Sequence, residues 1–270
     1  MTAKFKKTAL KGIIILVAII TIIGLSDLMF LSGSKPNQDQ STSQIVNEPV
    51  MEKVFFKTSD NKQITADYFR VDKSKYPEPN GWLVLTHMMP ATKESWNALA
   101  KTFQDLGYES LAVDLRGHGE SEEGPDGFLN FPDSEHQKSI YDLEAAIEFL
   151  RAKGGKAGKI SFIGASIGAN LSLQYISEHQ EFETAVLLSP GFNYRGIKTE
   201  SMAKKLKSGQ KVFFISSVDD GVNSVEVNQL FSEAPQDVKK EIKIYEFGGH
   251  GTDILKNQPE LEALIINFIK

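Results

Sequence analysis

The strongest constraint on the fold is a series of short, nearly continuous apolar runs at Trp82–Thr86, Ser110–Val113, Ile160–Ile163, Ala185–Leu188 and Val212–Ile215. Runs of this length suit strands covered on both faces, as in a parallel sheet held between two layers of helix. A sixth run, Ile242–Phe247, alternates more clearly. Helical patterns separate several of them: Trp96, Leu99, Phe103 and Leu106 follow the first run, and Ile140, Leu143, Ile147 and Leu150 precede the third. Steps of three and four residues place each set on one face of a helix. A last helix is expected around Leu261, Leu264, Ile265 and Phe268, with Pro259 near its start, where a missing N–H costs nothing. Strands alternating with helices predict an α/β fold with a doubly wound, mainly parallel central sheet and right-handed crossovers. Ahead of it, Lys53–Lys57 and Gln63–Arg70, joined through Ser59-Asp60-Asn61, read as an N-terminal hairpin.

The first residues are of a different kind. Lys4, Lys6, Lys7 and Lys11 precede an almost unbroken apolar run, Gly12 to Leu25, which Leu28 to Leu31 extend past Asp27. A basic stretch before an apolar one is a targeting pattern; its length leaves both a cleaved signal peptide and a membrane anchor open for residues 1–34. Either form puts the rest of the chain outside the cytoplasm, secreted or membrane-anchored. Residues 35–50 are polar and read as a disordered linker, leaving residues 51–270 as the folded domain. The net charge of −5 becomes −8 once the four lysines and one aspartate of residues 1–34 are set aside, which argues against a nucleic-acid partner. With no cysteine in the chain, disulfides, thiolate metal sites and a cysteine nucleophile are excluded. No histidine spacing or carboxylate cluster suggests a metal, and no cofactor is expected.

The segment ISFIGASIGAN, Ile160 to Asn170, sets Ser166 between two glycines where an apolar strand gives way to a helical pattern. A serine hydroxyl is a weak nucleophile and needs a base in contact, a group to orient that base, and N–H donors for an oxyanion. Gly164 and Gly168 permit the tight strand-to-helix turn from which such a serine projects, and Ile167 at the helix start presents a free N–H. Downstream, VDDGV places Asp219 and Asp220 just past another buried strand, and Phe247-Gly248-Gly249-His250-Gly251 sets a histidine in a flexible glycine loop. The order Ser, Asp, His is the one associated with this elbow. Adjacent acids in an extended segment point to opposite sides, so one of the two reaches the imidazole. Asp253 follows the histidine too closely for that role and is expected to cap the next helix.

His87-Met88-Met89-Pro90 after the first central strand and DLRGHGES, Asp114 to Ser121, complete a pattern that, with GASIG and GGHG, resembles the α/β-hydrolase superfamily over residues 51–270, in particular its small bacterial esterase-like members. The resemblance implies Ser166 as nucleophile, His250 as base and Asp220 as the orienting acid. It also implies an oxyanion hole formed by the N–H groups of Met89 and Ile167. One departure stands out: the family has glycine where this chain has Met88, which reaches fewer backbone angles, so Met88 itself is an alternative donor. The 21 residues from 190 to 210, where the family often inserts a lid, leave room for a loop and one short helix, so no large cap domain is expected. An open site lined by Met88, Met89, Phe128, Phe131, Phe192 and Tyr194 suits an apolar acyl group, although all six also read as plain core.

His87 and His118 are expected to shape loops around the site, His136 and His179 to lie on polar helix faces, and Lys204-Lys205-Leu206-Lys207 to form a solvated helix face. The function expected from all of this is hydrolysis of a small-molecule carboxylic ester through an acyl-enzyme. A peptidase or amidase using the same triad, and a non-catalytic binding scaffold, are the alternatives.

Overall fold

The computed structural model describes residues 50–270. The expected targeting segment, residues 1–34, and all of the linker but Val50 lie outside the described residues. Among the described residues no helix is long and apolar enough to cross a membrane.

The chain opens with β1 (Val50–Lys57) and β2 (Gln63–Arg70), an antiparallel hairpin paired from Val50↔Arg70 to Lys57↔Gln63. β3 (Gly81–Thr86), α1 (Asn97–Asp105) and β4 (Tyr108–Val113) follow, then α2 (Asp133–Gln137), α3 (Ile140–Ala152), β5 (Ile160–Ala165), α4 (Ile167–Glu178) and β6 (Thr184–Leu188). The segment after β6 carries a two-stranded hairpin, β7 (Asn193–Tyr194) and β8 (Ile197–Lys198), and the single turn α5 (Glu200–Ala203). β9 (Lys211–Ser217), α6 (Asn223–Glu233), β10 (Lys239–Tyr245), α7 (Asp253–Asn257) and α8 (Glu260–Ile269) complete the chain.

The eight long strands form one sheet in the order β1-β2-β4-β3-β5-β6-β9-β10, parallel from β4 to β10. Alternate residues of the central strands feed two separate cores, which is the physical content of double winding. Val84, Phe162, Leu187 and Phe214 pack with α3, α4 and α6 on one side, while Leu83, Leu85, Ile163, Val186 and Ile215 pack with α1 and α8 on the other. A strand buried on both faces has no polar position to spare, hence the continuous apolar runs. β10, at the sheet edge, is half exposed, and its lysines extend it upstream of the expected run to Lys239.

Three expectations are corrected. The segment from 190 to 210 holds a β-hairpin as well as a short helix. Lys204 to Lys207 follow α5 in a turn, with Leu206 buried. His136 is not on a polar face: it is buried and its ring meets Phe131 edge-on at 5.6 Å.

Candidate active site

Ser166 follows the last residue of β5 and precedes the first of α4, with φ 53° and ψ −118°. Such a backbone costs a non-glycine residue about 1–3 kcal/mol. Close approach on both sides holds it there. A Cβ on Gly164 would stand 2.3 Å from the Gly168 carbonyl oxygen, and one on Gly168 would stand 2.4 Å from that of Thr86. The two glycines therefore let the start of α4 press against both β5 and the end of β3, with Ser166 at the junction of strand and helix. The Ser166 N–H donates to Leu188 O at 2.8 Å, tying the elbow to β6.

The acid and histidine loops leave the carboxyl ends of β9 and β10, where open α/β sheets build their sites. His250 Nδ1 and Asp220 Oδ2 are 2.6 Å apart. A carboxylate there requires Nδ1 to carry the proton, which leaves Nε2 as a free acceptor. Asp219 does other work: its Oδ1 accepts the N–H groups of Gly248 and Gly249, each at 3.0 Å.

The glycine loop is consequently not free to swing, as its composition suggests, but pinned at each residue. Ser217 donates to Gly249 O at 2.6 Å, Asn257 to Gly248 O at 3.0 Å, and the Gly251 N–H to Ser189 Oγ at 2.9 Å. A Cβ on Gly251 would lie 3.3 Å from that of Ala165 and 2.7 Å from Met88 Sδ, so the histidine loop packs directly on the elbow. Ser189 itself, fully buried with φ 50°, is a site residue that no sequence signal singled out. Asp253 does not cap α7; it lies in the first turn and pairs with Lys256 at 2.8 Å. Among the described residues no hydrogen bond joins Ser166 Oγ to His250 Nε2; the hydroxyl of Tyr194, whose ring meets that of His250, donates to Ser189 O at 3.3 Å.

The expected oxyanion donors are the N–H groups of Ile167 and Met89, with Met88 as the alternative. Ile167 is the first residue of α4, so its N–H has no partner within the helix. Among the described residues neither Met88 nor Met89 donates its N–H to a backbone carbonyl, and neither has positive φ, so methionine in place of glycine brings no backbone strain.

The DLRGHGES motif builds the support for that loop. Asp114 accepts the Lys93 N–H and ammonium, each at 2.8 Å, and the Glu120 N–H at 3.0 Å, joining the loop after β3 to the loop after β4. Burial works against the Lys93 charge, but Asp114, Glu94 and Glu120 more than offset it and raise its pKa. Arg116 is buried against Asp142 and reaches Asp60 of the first hairpin. His87 is locked neutral, with Nε2 accepting the Leu115 N–H at 3.0 Å and Nδ1 donating to Met88 O at 2.9 Å; burial lowers its pKa to about 4. Burial likewise lowers His118 to about 3, and its ring stacks on Phe128 at 4.1 Å. Phe128 is thus core rather than pocket wall. His179 stacks on Tyr175 at 4.2 Å.

Among the described residues, no group of three or more His, Asp or Glu side chains is placed to hold a metal ion. A groove of about 430 Å³ between α1 and the α7–α8 end contains none of Ser166, Asp220 and His250. Around the acid and histidine loops Val218, Val222, Val225 and Phe247 stand exposed.

Residues 77–212, just over half of the chain, match the family described as Serine aminopeptidase, S33. No curated protein sequence matches significantly. An esterase of Pyrococcus furiosus superposes with a TM-score of 0.66 at 18% identity, covering 82% of this chain and 92% of that one. An acetyl xylan esterase of Paenibacillus gives 0.67 at 17% identity over 86% and 85% of the two chains. An α/β-hydrolase of Penicillium gives 0.66 at 13% over 82% and 98%. At these identities the likeness is one of fold.

Proposed function

The chain belongs to the Serine aminopeptidase, S33 family of the α/β-hydrolases and is a serine hydrolase, and we propose that it cleaves a small-molecule carboxylic ester through an acyl-enzyme on Ser166. The observation that carries this reading is the 2.6 Å contact of His250 Nδ1 with Asp220, on a loop packed against a strained serine elbow. In the reaction, Ser166 Oγ attacks the carbonyl carbon as its proton passes to His250 Nε2. Asp220 holds the imidazolium that results. The carbonyl oxygen takes up negative charge toward the N–H groups of Ile167 and Met89, with Met88 the neighbouring alternative. His250 then protonates the departing alcohol, and water repeats the sequence on the acyl-enzyme. The exposed Val218, Val222, Val225 and Phe247 favour an apolar acyl or alcohol group.

The family's description favours a second reading in which the scissile bond is an amide. A panel of chromogenic esters and aminoacyl amides separates the two. Ester turnover well above amide turnover, abolished by Ser166→Ala, is expected; the reverse order makes the protein an amidase, and no turnover of either class supports a binding scaffold.

We further propose that residues 1–34 carry the domain outside the cytoplasm, on the strength of four lysines ahead of an apolar run. Fused to a reporter active only outside the cytoplasm, the segment should switch the reporter on. A silent reporter contradicts it.

A further inference from the structure

Three of the strands that end at the site lead into its reactive groups: β5 into Ser166, β9 into the loop of Asp219 and Asp220, and β10 into the loop of His250. β6 lies between β5 and β9 and leads into Ser189, which stands outside the triad. Its backbone is held where a serine does not settle of itself. The φ of 50° is in the left-handed region, and Pro190 after it narrows the accessible angles further. Glycine would sit there at less cost. A fully buried residue kept in such a conformation beside a reactive serine points to a side chain that the site needs.

The contacts of Ser189 name the need. The Ser166 N–H donates to Leu188 O at 2.8 Å, and the N–H at the other end of that same peptide unit, the one belonging to Ser189, donates to Ile215 O at 2.8 Å. The unit is planar, so it fixes Ser189 against β9 and against the backbone of Ser166 at once. From there Ser189 Oγ accepts the N–H of Gly251, the residue after His250, at 2.9 Å. Its carbonyl oxygen accepts the Tyr194 hydroxyl at 3.3 Å, and the Tyr194 ring meets the His250 ring edge-to-face at 6.1 Å. Among the described residues, the other hydrogen bonds to residues 247–251 come from Ser217, Asp219 and Asp220 or from residues 253–258. Ser189 is therefore the residue that ties the histidine loop to the strand on which the nucleophile's own N–H is fastened.

We propose that Ser189 is a positioning residue for the base, setting His250 at a fixed place relative to Ser166 through its Oγ and its own peptide. The inference rests on Ser166 and His250 being nucleophile and base. Glycine stands on both sides of His250, so the local chain does not decide where the imidazole lies. Asp219 holds the loop before the histidine, and Ser189 holds it after. Proton transfer from Ser166 to Nε2 depends steeply on the separation of the two groups, so a small drift of the loop costs rate rather than binding. Alanine at 189 keeps the Cβ, and with it the same backbone cost, but leaves the buried Gly251 N–H without its acceptor.

The test is a double-mutant cycle in the full-length protein, with Ser189→Ala made in the parent and in His250→Ala, and kcat and KM measured on one activated ester. In the parent, kcat is expected to fall about 10- to 100-fold with KM within about twofold, and the rate of phosphonylation by a small fluorophosphonate to fall in proportion. In His250→Ala the same substitution is expected to change kcat less than about twofold, because the group it positions is gone. A Ser189→Ala enzyme as fast as the parent overturns the proposal. So does an equal loss in both backgrounds, which makes Ser189 a support of the whole site and not of its base. If Ser189→Ala does not fold, Ser189→Cys takes its place in the cycle: it keeps the shape with a weaker acceptor, and parent-like kcat in it overturns the proposal too. If the parent does not label, or labels as fast in Ser166→Ala or His250→Ala, the reading of the triad fails and takes this one with it; a parent that labels at Ser166 and needs His250, beside an additive cycle, sinks Ser189 alone.

Discussion

Asp219 and Asp220 are neighbours of identical chemistry, and their contacts divide the work between them. Asp220 meets His250 Nδ1 at 2.6 Å, whereas both N–H groups that reach Asp219 end on the same oxygen, Oδ1. Asparagine at 220 presents an amide that cannot hold the imidazolium, and the Ser-His-Asp template loses on the order of 10⁴ in kcat from that change. Asparagine at 219 keeps a carbonyl oxygen able to accept both N–H groups. Asp220→Asn is therefore expected to be crippled, Asp219→Asn to lose less than about tenfold, and Asp219→Ala, which strands two donors, to lose more. Kinetics of the three variants on one ester check this; a crippled Asp219→Asn beside a healthy Asp220→Asn reverses the assignment. Sequence alone separates the two acids only through family resemblance. Nothing in the string VDDGV says which carboxylate turns toward β10, because that depends on a loop whose partners lie about 30 residues away.

At the scale of elements, the elbow is the part most legible in the sequence. GASIG follows a run with no polar alternation, and both facts have one cause: β5 is covered on two faces, and α4 starts against its end. Gly164→Ala and Gly168→Ala each set a methyl against backbone oxygen at 2.3 and 2.4 Å, atoms that cannot rotate away. Each is expected to destabilise the protein by more than about 2 kcal/mol and to lower kcat, because the serine moves with the helix. Denaturant unfolding together with esterase kinetics measures both effects; a variant as stable and active as the parent contradicts the geometry. The hairpin β7–β8 was not legible. Strands of two residues carry no periodicity, and what fixes them is Asn170 and Thr199, polar residues whose partners are visible only once the chain is folded. The pinning of the histidine loop was hidden for the same reason: glycines signal freedom in sequence, but Ser189, Ser217, Asp219 and Asn257 remove it.

The whole molecule carries two buried neutral histidines beneath its site, and they make its stability depend on pH. An unfolded histidine titrates near 6.5, whereas His87 and His118 stay neutral down to about 4 and about 3. Below pH 6.5 the unfolded chain takes up protons that the folded state refuses, so stability falls with pH until each folded group protonates in turn. At pH 5 the loss is roughly 2 kcal/mol for each histidine. Thermal unfolding of the parent and of His118→Gln between pH 7.5 and pH 4 is the check: the variant starts less stable but should lose less on acidification, and an equally steep loss rules out this origin. The central claim, that Ser166 acts as nucleophile in a site completed by His250 and Asp220, meets its most direct test in the mass of the protein after reaction with a fluorophosphonate. One adduct per chain is predicted, mapped to the peptide containing Ser166 and absent from Ser166→Ala. An adduct on another serine, or one that survives in Ser166→Ala, contradicts the account.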